Sequence, residues 1–260
     1  MKVIIIGTGN VATVLGKRIQ QAGHSIAGIF GRNQEHACQL AALLDTEAFD
    51  LDRLHPSAAI DIYIMAVSDS ALYELPKAFR LKDRLVVHTA GSVPMDVLKG
   101  CSSSYGVLYP LQSLRRELDA LTSIPLLIDA NSHDSKQTLL RFARTLSEQV
   151  SEADDLQRMK LHVAAVITSN FTNHLYALAE DYCKKEGLDF GLLHPLIIET
   201  AQRTRLFSPA QMQTGPAIRK DNITIDHHLS LLQEHPALQQ LYRQLTESIK
   251  QLSQPASERK

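Results

Sequence analysis

The chain carries no excess of charge of either sign. Across 260 residues, 27 Lys and Arg stand against 28 Asp and Glu, a formal net charge of −1. No basic stripe or acidic tail breaks this balance, so no nucleic-acid partner is expected. Cysteine is scarce: Cys38, Cys101 and Cys183 are far apart and show no CxxC spacing. That excludes a disulfide framework and points to reduced thiols in a cytoplasmic setting. Long apolar runs are missing too, since none approaches the roughly 20 residues that cross a bilayer. The opening MKVIII is too short for a signal-peptide core. Hence no membrane contact is expected, and the sequons at Asn170 and Asn222 read as chance matches. His174, His194, His227 and His228 have no carboxylate or cysteine at ligand spacing, so no metal site is expected. There is no internal repeat. What remains is ordinary globular composition, 44% hydrophobic and 21% charged, in a chain long enough for one large or two modest domains.

The first half alternates short apolar runs with helical patterns. Strands are expected at residues 3–6, 25–30, 60–67 and 84–89, with shorter ones near 105–108 and 124–128. Helices are expected at about 10–22, 34–44 and 132–146, with Asp69 capping another. This alternation implies right-handed βαβ units and a parallel sheet. From 155 to 185 there is no Gly or Pro, and the pattern is helical throughout. Further helices are expected at 192–206, 226–233 and 236–252, after a loop around 213–222. The expected organisation is α/β, a Rossmann-type domain over residues 1–150 and an all-helical domain over 151–253, with a disordered tail at 254–260.

Gly7-Thr8-Gly9-Asn10-Val11-Ala12 follows the first strand and opens a helix. This is a GxGxxA form of the dinucleotide fingerprint. The first Gly permits the tight turn, the second lets backbone approach a pyrophosphate, and the small Ala12 allows close helix–strand packing. The helix start then offers free N–H groups to phosphate. An NAD site usually places Asp or Glu at the end of the second strand. Here Gly31-Arg32-Asn33 stands there, with Glu35 poorly placed for a ribose. The Arg32 fork suits a 2′-phosphate, which favours NADP(H). The alternative is a solvated surface arginine beside an NAD site.

Ligands of such sheets bind beyond the carboxyl ends of the strands. Three loops are expected there: Ala66-Val67-Ser68-Asp69, His88-Thr89-Ala90-Gly91-Ser92 and Tyr109-Pro110-Leu111-Gln112-Ser113. The small residues Val67, Ser68 and Ala90 would let a nicotinamide ring lie flat. His88 or Tyr109 could protonate a substrate being reduced. Alternatively, His88 is a strand-end residue bonded to backbone and Tyr109 packs at a domain boundary. In the helical segment, His162, Ser169, Asn170 and Asn173 fall within about 100° of one another at about 100° per residue. Thr172, His174 and Lys160 lie off this stripe. The stripe could line a cleft or form a hydrogen-bonded network at a helix–helix or dimer contact.

The ordered series GTGNVA, HTAGS, YPLQSL, LHVAAVITSNFTNHLYALAEDYCKKEGL and TGPAIRKD carries a resemblance that the glycine motif alone would not. The chain resembles the Rossmann-like proteins with a DUF2520 C-terminal domain. These are candidate NADP oxidoreductases related to the coenzyme-F420-dependent NADP oxidoreductase and pyrroline-5-carboxylate reductase group. The resemblance reaches about residue 250. It implies a 6-phosphogluconate-dehydrogenase-like architecture, with an active site between the domains and a homodimer formed through the helical one. Related proteins often carry His-Pro where this chain has Tyr109-Pro110. β-Hydroxyacid dehydrogenases place Lys and Asn four apart on the corresponding helix, whereas Lys160 is followed at that spacing by Ala164. Their mechanism therefore does not transfer.

The leading expectation is an NADP(H)-dependent oxidoreductase acting on a small carbonyl or imine substrate. Gly7, Thr8, Gly9, Asn10, Val11, Arg32, Asn33, Val67, Ser68 and Ala90 would hold the cofactor. His88, His162 or Tyr109 would supply the proton, and Asn170 and Asn173 would orient the substrate. The rivals are a non-catalytic NADP(H) sensor acting through dimer or partner contacts, and a pyrroline-5-carboxylate-reductase-like imine reductase.

Overall fold

The structure is a computed structural model and describes residues 1–118 and 123–252. The expected tail at 254–260 lies outside the described residues. Two compact units divide the chain, one ending at Phe171 and the other beginning at Thr172.

The first unit is built on one eight-stranded sheet in the order β3-β2-β1-β4-β5-β6-β7-β8. The strands β1 (Lys2–Ile6), β2 (Ser25–Phe30), β4 (Ile62–Met65) and β5 (Leu85–His88) arise from continuous apolar runs. Such runs suit strands covered on both faces. On β1, Val3 and Ile5 enter one core layer with Leu15, Ile19, Leu139 and Phe142. Ile4 and Ile6 enter the other with Tyr63, Met65, Leu72 and Leu98. Each fully buried aliphatic side chain contributes about 1.5–3 kcal/mol to keeping this register. Helices α1 (Asn10–Gln21) and α2 (Gln34–Leu43) follow β1 and β2.

The sheet is not parallel throughout. β6 (Tyr105–Pro110) pairs parallel with β5, but β7 (Leu126–Ala130) runs antiparallel to β6. No helix crosses between them among the described residues, and a parallel return needs a crossover. α4 (His133–Leu146) supplies one between β7 and β8 (Val150–Glu152), which pair in parallel. β8 and β3 (Ala48–Phe49) are short edge strands that the sequence reading passes over.

Two local expectations need correction. Asp69 does not cap its helix: α3 (Asp69–Leu72) starts after Ser68, with no side-chain cap. The Asp69 carboxylate instead accepts a hydrogen bond from the Ser92 hydroxyl of the neighbouring loop. Residues 155–185 are not uniformly α-helical either. α5 (Asp155–Ala165) opens on a capping box between Asp154 and Gln157, Val166–Phe171 is π-helical, and α6 (Thr172–Lys185) is α-helical.

The second unit is helical: α6, α7 (His194–Arg203), α8 (Asn222–Leu231) and α9 (Pro236–Leu252). α8 begins earlier than expected because Asp221 caps it, accepting from the Thr224 N–H. Within this unit His228 shares a hydrogen bond with the Tyr242 hydroxyl at 2.8 Å, and His235 one with Glu186 at 2.8 Å. No helix of the described residues is long and apolar enough to cross a membrane.

Candidate active site

The turn after β1 is shaped by what lies against it. Gly7 has φ +122°, and a Cβ there would overlap the Ala66 carbonyl at the end of β4. A side chain is therefore excluded twice, by conformation and by space. At Gly9, by contrast, a Cβ would meet nothing within 4 Å. The protein itself leaves that space open, as a backbone-hugging pyrophosphate requires. Ala12 is fully buried against the sheet. No side chain caps α1 and no acidic residue stands in its first turn, so its first N–H groups face the opening unclaimed.

These residues border a cleft of about 880 Å³, within the usual range for cofactor sites. Gly7, Thr8, Gly9, Asn10, Val11, Arg32, Asn33, Val67 and Ser68 all line it. Asn33 also caps α2, accepting from the His36 N–H at 3.0 Å. His36 lines the cleft as well, and the sequence reading does not single it out. The signal was its position one turn into the helix that Asn33 starts. Ala90 is buried and is not among the cleft-lining residues.

The loops after β5 and β6 and the helix α5 meet in a second cluster. Tyr109, at the end of β6, is hydrogen-bonded through its hydroxyl to His162 Nδ1 on α5 at 3.0 Å. The rings stand edge to face, with centroids 5.9 Å apart. Gly91 explains how the loop 88–92 reaches them. A Cβ at Gly91 would lie 2.7 Å from His162 Nδ1 and 2.8 Å from Tyr109 Cζ, so only glycine lets the backbone come this close. Burial raises the Tyr109 pKa, and the negative charge of Asp69 adds to it. Tyr109 therefore holds its proton at neutral pH.

His88 sits differently. It is fully buried, and its Nδ1 accepts the Ala90 N–H at 3.2 Å. Burial, then the nearby Arg158 cation, pushes its pKa down to about 4. His88 is thus a neutral ring bracing the loop. Arg158 is itself 1% exposed and donates through Nη2 to the Val93 carbonyl and to Asp155, at 2.5 and 2.8 Å. His88 should leave a signature in acid. Between pH 6.5 and about 4 the unfolded chain takes up a proton there that the folded chain refuses. Stability should fall through that window by on the order of 3 kcal/mol. Denaturant midpoints measured across this range should drop more steeply for the wild type than for His88→Asn. Equal slopes would show that His88 is not held neutral.

Beyond Tyr109 and His162 lies a cavity of about 490 Å³. Gln112, Ser113, Thr168, Ser169 and Asn170 border it with them, over apolar Leu111, Leu161 and Val166. The π-helical turn carries three of those polar residues. Hydrogen bonding at wider spacing makes each residue advance less than in an α-helix, which changes the phase of the stripe. Thr168 turns back to the Ala164 carbonyl at 3.0 Å. His162, Ser169 and Asn170 thus share one cavity with Tyr109. Asn173 is an exposed residue of α6 in the second unit.

A GxGxxA turn between a buried strand and a helix, opening on a nucleotide-sized cleft, defines a Rossmann-type dinucleotide-binding domain. Residues 2–91 match the family described as NADP oxidoreductase, coenzyme F420-dependent, and residues 124–249 match the domain of unknown function DUF2520. A candidate NADP oxidoreductase of Bacteroides fragilis is 41% identical, with 96% of this chain and 97% of that one covered and a TM-score of 0.89. The chain belongs to this family of NADP oxidoreductases with a DUF2520 domain, which bears out NADP(H) as the expected cofactor. The fold is shared more widely. The 1-pyrroline-5-carboxylate reductase of Streptococcus pyogenes is 14% identical (96% and 98% covered, TM-score 0.63). The reductive aminase of Aspergillus terreus, solved with NADPH and ethyl-5-oxohexanoate, is also 14% identical (96% and 97% covered, TM-score 0.68). No curated protein matches the chain.

Proposed function

We propose that the protein is an NADPH-dependent reductase of a small carbonyl or imine substrate, with Tyr109 as its proton donor. The observation that carries this is the Tyr109–His162 hydrogen bond seated on Gly91. It brings a proton-bearing hydroxyl against a loop beyond the carboxyl end of β5, where ligands of such sheets bind. The open space at Gly9 and the cation at Arg32 fit a dinucleotide with a 2′-phosphate. When bound, that cofactor supplies the hydride. Gly7 through Val11 would hold its pyrophosphate, Arg32 and His36 its 2′-phosphate, and Val67 and Ser68 would border its nicotinamide end.

Tyr109 gives its proton to the substrate and takes one from His162 Nδ1–H, as His162 takes one from solvent at Nε2. His162 lines the cavity with Ser169 and Asn170, and these two amide and hydroxyl groups orient the substrate. His88 keeps the loop in place. The helical unit exposes Leu192, Leu196, Ile198 and Ile223, and faces of this kind are partner surfaces. This supports a homodimer, for which a solution mass of one chain would be contrary evidence. Free Cys38, Cys101 and Cys183 support a reducing, cytoplasmic setting.

The test is turnover. Purified protein should oxidise NADPH when supplied with a small imine or carbonyl from a modest panel. Tight NADPH binding with no oxidation by any member would favour the sensor reading instead.

A further inference from the structure

Asp69 has three features that its position at the start of α3 does not require. It caps nothing, since the helix has no side-chain cap. Its carboxylate reaches to the next loop and accepts from Ser92, beside the Gly91 that supports Tyr109 and His162. It is exposed, and no cation pairs with it among the described residues. Its charge is near enough to act on both Tyr109 and His88.

The charges around it decide what it favours. Tyr109 and His88 are neutral at pH 7. The Arg158 cation is buried and tied to Asp155 and the Val93 carbonyl. Asp69 therefore presents an unpaired negative charge beside the proton donor. Reduction of a carbonyl builds negative charge on oxygen, which a neighbouring carboxylate opposes. Reduction of an iminium starts from a cation and ends neutral.

We infer that Asp69 is a specificity-determining residue that selects a protonated imine, or its ammonium product, over a neutral carbonyl. The inference rests on the reductase reading above. The balance is simple. Tyr109 protonates the imine nitrogen and is reprotonated through His162. The iminium carbon gains a hydride, the C=N π pair becomes the nitrogen lone pair, NADPH is oxidised to NADP⁺, and the amine takes a proton from solvent to become the ammonium product. Asp69 stabilises the cationic form without sharing in bond making.

Binding tests this independently of turnover. Piperidine, a cation at neutral pH, and cyclohexanol, its neutral analogue in size, would be titrated calorimetrically into the protein with NADP⁺. The wild type should bind piperidinium about tenfold or more tightly than cyclohexanol, the scale of one hydrogen bond to a charged group. Asp69→Asn, which still accepts from Ser92, should erase that preference and leave NADP⁺ affinity unchanged. Ser92→Ala, which keeps the charge, should retain it. No preference in the wild type, a preference surviving in Asp69→Asn, or an equal loss in Ser92→Ala would overturn the assignment. Turnover of NADPH with carbonyls alone would overturn it and leave the reductase reading standing. Asp69-dependent ammonium binding without any turnover would do the reverse.

Discussion

Tyr109→Phe should lower kcat for reduction by about 10²- to 10⁴-fold, the range for loss of a positioned general acid. NADPH affinity should stay within about twofold, because a phenylalanine ring still fills the space against Gly91. The loss should fall on kcat and kcat/KM alike, since the proton moves only as the substrate is reduced. The alternative for this residue, a tyrosine that merely packs, makes the opposite prediction. Its hydroxyl would then contribute one hydrogen bond, about 1 kcal/mol of stability, and turnover would be normal. His162→Ala should fall between the two. It leaves the Tyr109 proton in place and removes the group that restores it. Steady-state kinetics with melting curves on both variants would separate chemistry from scaffolding.

The second large effect concerns the cofactor. Arg32→Ala should weaken NADPH by about 10- to 100-fold and leave NADH nearly untouched. A guanidinium on a phosphate makes charge-assisted bonds of about 1.5–3 kcal/mol, and NADH has no group to lose. Arg32 forms no ion pair among the described residues, so the substitution removes no internal contact that would blur the result. His36→Ala should act in the same direction with a smaller effect, because His36 lines the cleft with Arg32 and its N–H is bonded to Asn33. Equal weakening of the two nucleotides would make Arg32 a surface residue and leave the 2′-phosphate unassigned.

The central strands were legible because burial on both faces demands uninterrupted apolar residues. VIII, IYIM and LVVH could be little else between turn signals. The GxGxxA turn was legible for a similar reason: Gly7 meets a carbonyl, and no other residue fits. What escaped the sequence depended on contacts remote in the chain. β3 and β8 have two and three residues, too short for a period to show. The antiparallel β7 follows from a connection that holds no helix among the described residues, not from its own residues. Periodicity also assumes one helical pitch, so it could not foresee the π turn at Val166–Phe171. Within the first unit the stripe still gathers in part, because His162, Ser169 and Asn170 share a cavity. Asp69 was misread because an acid before a short helix is so often a cap. Its bond to Ser92 spans 23 residues. Gly91 was legible only as a small loop residue, since its tight fit needs Tyr109 and His162 in place.

The most direct test of this account is a crystal structure of the protein with NADP⁺ bound. The account predicts a 2′-phosphate on Arg32 and a nicotinamide beside residues 88–92. Its C4 should face the Tyr109 hydroxyl across a gap that one small substrate fills. A nicotinamide turned away from Tyr109, or a 2′-phosphate remote from Arg32, would contradict it.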